Sequence, residues 1–115
     1  MMTTNQKTIL LVEDEDEIGS HINARLTDRG HLVVRARDAD DALKLAEQDH
    51  LSLILTDLDL PNLDQMMERL RAHETLQHMP VVVIDINHPQ NVRPDLTILN
   101  NFDELDQLLE SVPSH

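Results

Sequence analysis

Leu51-Ser52-Leu53-Ile54-Leu55-Thr56-Asp57-Leu58-Asp59-Leu60-Pro61-Asn62-Leu63 is the stretch that decides the fold. An apolar run ends abruptly in an acid, a second acid follows two positions later, and Leu-Pro leads into polar helix-start residues. A short apolar run bounded by turn signals reads as a strand buried on both faces. Pro61 suits a turn or the approach to a helix. In open α/β sheets ligands bind beyond the carboxyl ends of the strands, and Asp57 sits at such an end. Taken alone, Asp57 reads equally well as a turn residue that satisfies loop amides.

The same grammar recurs on either side. Lys7-Thr8-Ile9-Leu10-Leu11-Val12 is a first buried strand, and it too runs into acids, Glu13 to Glu17. Ile18, Ile22 and Leu26 mark one face of a helix that Gly30 is placed to end. His31–Ala36 reads as a second strand, and Asp38 as the N-cap of a helix over 39–48. Strands are expected near 8–13, 32–36, 51–57, 80–84 and 96–99. Helices are expected over about 17–29, 39–48, 63–73 and 102–111, the last opened by the capping-box pattern Asn101-Phe102-Asp103-Glu104 and stopped by Pro113. Strands that alternate with helices imply a parallel sheet covered on both faces, with right-handed crossovers. Residues 86–95 break the rhythm, with ten residues and two prolines. At most one irregular turn fits there, because Pro94 disfavours helix at Arg93.

Composition sets outer limits. The chain has 115 residues, the size of one domain, and residues 1–6 are expected to be disordered. It has no cysteine, which excludes disulfides and thiolate metal sites. No apolar run reaches membrane-spanning length, and the N-terminus lacks an apolar signal core, so a cytoplasmic protein is expected. The net charge of −13 argues against nucleic acid, which needs a basic face, and suits cations or partners with basic surfaces. The seven histidines show no ligand spacing and are expected on the surface.

Three strand ends deliver acids to one edge: Glu13 with Asp14, Asp57, and Asp85. Two carboxylates about 4 Å apart repel by roughly 4 kcal/mol at an effective dielectric near 20. Such a cluster is tolerated where it holds a cation or a proton. Oxygen ligands without His or Cys point to Mg²⁺. The plain alternative is a solvated acidic loop edge.

Here the chain resembles a response-regulator receiver domain of two-component signalling. Ile9–Glu15 resembles the family's first strand and acidic pair, Leu53–Asp64 its phosphoacceptor strand and loop, Ala36–Leu43 its second-helix start, and Met79–Ile84 its fourth strand. The likeness spans residues 7–112, one receiver domain. It implies an α/β, flavodoxin-like, doubly wound sheet of five parallel strands in order 2-1-3-4-5, here with the fourth helix shortened or missing. It implies Asp57 as phosphoacceptor. It also implies Mg²⁺ held by Glu13, Asp14, Asp57 and the backbone carbonyl of Asp59.

Several positions depart from the family pattern. Asp85 stands where the family has Ser or Thr, Asn100 where it has Lys, Thr97 where it has the strand-five aromatic, and Gln65 where it has a glycine. Lys7 lies at the wrong end of the sheet and Lys44 on the second helix, so Arg93 alone is placed to substitute for the missing lysine. These changes favour an atypical receiver that acts as a protein-interaction module with weak or no phosphorylation, rather than as an enzyme. The alternative is an ordinary receiver phosphorylated on Asp57 by a histidine kinase. A remote third reading takes Asp57-Leu58-Asp59 as the nucleophile motif of a haloacid-dehalogenase-like phosphatase. Expected partners are a histidine kinase or a downstream effector, and a second copy through the strand-five and last-helix face. Nucleic acid and membrane are not expected.

Overall fold

The computed structural model describes residues 6–48, 50–85 and 95–112. The elements run β1 (Thr8–Val12), α1 (Asp16–Asp28), β2 (Leu32–Ala36), α2 (Ala39–Gln48), β3 (Leu53–Asp57), α3 (Leu63–Ala72), β4 (Val81–Ile84), β5 (Thr97–Leu99) and α4 (Phe102–Ser111). The five strands form one sheet in the order β2-β1-β3-β4-β5, and every pair is parallel. That is the doubly wound, flavodoxin-like order expected from the sequence. The expected gap in place of a fourth helix, Arg93 and the stop at Pro113 fall outside the described residues.

Alternation along the central strands sorts side chains to two faces. Leu10, Val12 and Ile54 face one way and pack with Ala42, Met66 and Leu70 of α2 and α3. Ile9, Leu11, Leu53 and Leu55 face the other way and pack with Ile22, Leu26, Leu105 and Leu109 of α1 and α4. The central strands are therefore apolar throughout, as a sheet covered on both faces demands. Each fully buried Leu or Ile contributes about 1.5–3 kcal/mol relative to exposure.

Local chemistry fixes the helix ends. Asp38 caps α2 by accepting the Asp41 N–H at 2.8 Å. Asn101 caps α4 by accepting the Glu104 N–H at 2.8 Å, while Glu104 accepts the Asn100 N–H at 2.8 Å. Gly30 ends α1 at φ +89°. There the Gly30 N–H bonds the Thr27 carbonyl and the His31 N–H bonds the Leu26 carbonyl, a Schellman pair. Asn62 enters α3 at φ 66°, in the left-handed region that Asn tolerates better than most residues.

Two expectations need correction. The third strand begins at Leu53 rather than Leu51, although Leu51 and Ser52 are both buried. An apolar run reports burial, and burial here starts before the regular ladder. His31 is buried rather than on the surface, with 9% of its area exposed. Its Nδ1 accepts the Lys7 N–H at 3.0 Å, so the side chain serves as an acceptor at the amino edge of the sheet.

Candidate functional site at the carboxyl edge of the sheet

Strand register brings the acids together. Val12 lies opposite Thr56, so Glu13 and Asp57 occupy the next rung of neighbouring strands. Asp57 lies opposite Ile84, which places Asp85 one residue further along. The Asp85 N–H bonds the Leu99 carbonyl at 2.8 Å, which brings Asn100 to the same edge. Glu13, Asp57 and Asp85 line one cavity.

Glu13 is buried, with 1% of its area exposed. Its Oε1 accepts the Glu15 N–H at 3.1 Å. Its Oε2 has no hydrogen-bond partner among the described residues. Burial pushes the Glu13 carboxyl up to about 8, the Glu15 amide opposes the rise, and the Asp57 and Asp14 carboxyls within hydrogen-bonding reach add to it. Two acidic side chains that share a pocket this way hold a proton or a cation between them. Asp57 is half-buried, and its Oδ1 accepts the Asp59 N–H at 3.0 Å. The Leu60 N–H bonds the Asp57 carbonyl at 3.2 Å, tightening the turn behind the acid. Asp14 and Asp59 are exposed at the rim.

The departures are equally concrete. Asp85 is buried, with 3% exposed, at the tip of β4. The Asn100 side-chain amide donates to the Asp85 carbonyl at 3.1 Å, so it ties the β4 and β5 tips together. Thr97 is exposed on β5. The chain has two lysines: Lys7 lies at the amino edge and Lys44 is exposed on α2. Neither stands beside Asp57.

Two residues that shape the site escaped sequence reasoning. The Arg35 guanidinium crosses from β2 beneath the start of α1 and donates Nη2 to the carbonyls of Glu13 at 3.1 Å and Glu15 at 3.4 Å. It holds the acidic loop from below. Gly19 makes room for it: a Cβ at that position would lie 2.0 Å from Arg35 Nη2. Each residue leaves a signal in the sequence. A glycine inside a helix costs about 0.5–1 kcal/mol against Ala, and Arg35 interrupts an otherwise apolar strand. Only the folded geometry joins the two.

Among the described residues, no group of three or more His, Asp or Glu side chains forms a ready metal cage. Mg²⁺ does not require one, since it commonly takes one or two carboxylates and completes its shell with water. The Glu13 Oε2 beside Asp57, unpartnered among the described residues, fits that chemistry.

A doubly wound parallel sheet with acids gathered at its carboxyl edge defines a class, and the comparisons agree with it. Residues 9–106 match the response regulator receiver domain, and the chain belongs to that family. It is 33% identical over 79 residues to the transcriptional regulatory protein AfsQ1 of Streptomyces coelicolor, covering 67% of this chain and 34% of that protein. It is 30% identical over 80 residues to the polar-differentiation response regulator DivK of Brucella ovis, covering 68% of this chain and 65% of that one. The chain thus spans about a third of AfsQ1 and about two-thirds of DivK. Among solved structures, the receiver domain of the Pseudomonas aeruginosa sensor histidine kinase PA1611 superposes with a TM-score of 0.78. It is 27% identical, with 92% of this chain and 96% of that one covered. That structure holds a magnesium ion in its active-site cleft. The Vibrio cholerae chemotaxis protein CheY4 shares the fold, with a TM-score of 0.77 at 20% identity, covering 94% of this chain and 99% of that one. No helix among the described residues is long and apolar enough to cross a membrane.

Proposed function

We propose that residues 7–112 form an atypical receiver that works as a protein-interaction module in two-component signalling, with Asp57 phosphorylated weakly or not at all. The observation that carries this reading is the buried Asp85 on the strand next to Asp57, lining the same cavity. An aspartyl phosphate carries close to two negative charges. A carboxylate about 5 Å away opposes it by about 3 kcal/mol per unit charge at an effective dielectric of 20, less where water screens the pair. With no lysine beside Asp57 and Asn100 tied to the Asp85 carbonyl, those contacts add no compensating cation.

Mg²⁺ is the ion the residues suit. Glu13, Asp14, Asp57 and the backbone carbonyl of Asp59 would hold it. Bound there, it supplies neutralising charge for the crowded acids. The partner-facing surface is the β5 and α4 face with exposed Thr97, which lacks a switching aromatic and is fixed in one state. A histidine kinase, a downstream effector or a second copy of the chain binds there, in the cytoplasm.

Ordinary phosphoacceptance is the second reading. It is favoured by the intact turn, in which the Asp59 N–H meets Asp57 Oδ1. The phosphatase reading has less support, because no lysine stands near the Asp-x-Asp pair.

Three measurements decide between them. With Mg²⁺ and a small phosphoryl or beryllofluoride donor, the unaltered protein is expected to show little change at Asp57. Asp85→Thr with Asn100→Lys is expected to gain phosphorylation. Asp57→Ala is expected to leave partner binding unchanged. Ready phosphorylation of the unaltered protein, with output lost in Asp57→Ala, establishes the ordinary receiver instead.

A further inference from the structure

Between α1 and the start of α4 a cavity of about 660 Å³ opens onto the carboxyl edge. Glu17, Ser20, His21 and Asn101 complete a lining that has two main parts. Glu13, Asp57 and Asp85 form an acidic floor, and Ile18, Ile22, Ile84 and Phe102 line an apolar side. The volume falls within the roughly 300–1,000 Å³ of sites that take organic ligands. A hydrated divalent ion uses the floor alone and gains nothing from the apolar wall.

That wall is held in place. The Arg25 guanidinium sits 4.8 Å from the centroid of the Phe102 ring, and the same arginine pairs with Asp106 of α4 at 3.6 Å. The His21 ring lies 5.9 Å from the Phe102 ring, tilted by 58°. The floor holds an unmet acceptor: Glu13 is buried, lines the cavity, and its Oε2 has no partner among the described residues. Glu13 and Asp57 share a proton when nothing else is bound, and an arriving charged donor can take that proton's place.

We propose that this cavity binds a small organic cation, with a primary ammonium or amidinium on Glu13 and Asp57 and an aryl or branched alkyl body packed among Ile22, Ile84 and Phe102. The charge of −13 rules against an anion, and a neutral apolar molecule leaves the Glu13 oxygen unmet. The organic cation and a divalent ion share the floor, so they compete. This site goes beyond the interaction-module reading and does not rest on it, because it needs neither phosphorylation nor the β5 face.

The probe is 4-phenylbutylamine, titrated into the full chain and followed by amide chemical shifts. Controls are 4-phenylbutanol, which keeps the body without the charge, and butylamine, which keeps the charge without the ring. The amine is expected to move the amides of Ile18, Ile22, Ile84 and Phe102, and to bind about tenfold more tightly than either control. Mg²⁺ is expected to weaken it. Glu13→Gln is expected to lose about tenfold in affinity. Ile18→Lys, at a half-buried position, places a like charge in the wall and is expected to lose binding without unfolding the protein. The proposal is overturned if both controls match the amine, if only the acidic residues respond as they do to Mg²⁺, or if none of the probes binds. Continued failure of phosphorylation assays leaves it standing.

Discussion

The two ends of the sheet bury polar side chains in similar numbers and differ in one buried oxygen. At the amino edge, Lys7, His31 and Ser52 are buried and interlocked. The Lys7 N–H bonds His31 Nδ1, the Thr8 N–H bonds Ser52 Oγ at 3.2 Å, and the Leu32 N–H bonds the Lys7 carbonyl at 2.9 Å. At the carboxyl edge, Glu13 and Asp85 are buried in a cavity with half-buried Asp57, and Glu13 Oε2 stays unmet among the described residues. The same five strands supply both ends, so topology does not cause the difference. It lies in what the tip residues are asked to do. A satisfied end stabilises the fold, while an unsatisfied one holds interaction capacity for something that arrives later.

The largest test removes the repulsion. In metal-free buffer near pH 8, Asp57→Asn is expected to stabilise the protein by about 2 kcal/mol, discounted from the bare Coulomb value because Asp57 is half-exposed. That corresponds to a rise in Tm of about 8 °C for a domain of this size. No gain, or a loss, would make the carboxyl edge as satisfied as the amino edge and dissolve the contrast.

Next in size is the response to Mg²⁺. At millimolar concentration it is expected to stabilise the unaltered protein by about 1–2 kcal/mol through preferential binding to the folded state. Asp57→Asn should respond much less, because half of the acidic pair is gone. Equal shifts in both proteins would place the ion elsewhere on this acidic surface.

Arg35 and Gly19 sharpen the comparison, because there a cation buttresses the carboxyl edge from below. Gly→Ala inside a helix normally gains about 0.5–1 kcal/mol. At Gly19 it drives the Arg35 guanidinium off the Glu13 and Glu15 carbonyls. The net expectation is a loss of about 1 kcal/mol, since bonds from charged donors are worth about 1.5–3 kcal/mol. In an Arg35→Met background, Gly19→Ala should recover the ordinary gain. A double-mutant cycle in urea measures the coupling. Additive effects would show that the two residues do not depend on each other.

Those two residues also mark the limit of what the sequence reveals. Helices at 39–48 and 102–111 were legible because caps and periodicity are local, and both match the structure. The carboxyl edge was legible because parallel strands all end on one side, so acids at strand ends must meet. Arg35 under Gly19 depends on strand β2 passing beside α1, a relation between residues 16 positions apart that no local pattern encodes. His31 was misjudged for a similar reason. Spacing shows that it lacks metal-ligand company, but not that the edge of the sheet closes over it.

The last test is the pH profile, where the two ends pull in opposite directions. Glu13 is pushed up from 4.5 to about 8, chiefly by burial. The folded state therefore binds more protons than the unfolded chain between those values, and stability falls as pH rises through that window. His31 is shifted the other way, below its ordinary 6.5, chiefly by burial and then by the Lys7 charge. Asp106 opposes the shift and Arg29 adds to it. The folded state binds fewer protons there, so its contribution is complete above 6.5 and is lost as pH falls toward the lowered value. Protonation also turns Nδ1 from an acceptor into a donor and breaks the bond from the Lys7 N–H. His31→Gln keeps an acceptor and removes the titration. In metal-free urea unfolding between pH 5 and pH 8, the stability difference from the unaltered protein is expected to change with pH only below 6.5, where His31 titrates. The acid-side slope should stay under the ~1.4 kcal/mol per pH unit that one full proton gives. For Glu13→Gln the difference is expected to change across the whole range, because the Glu13 window of 4.5 to about 8 spans it. If His31→Gln changes the slope above pH 6.5, the ends are coupled through the sheet, and the division between a satisfied edge and an unsatisfied one fails.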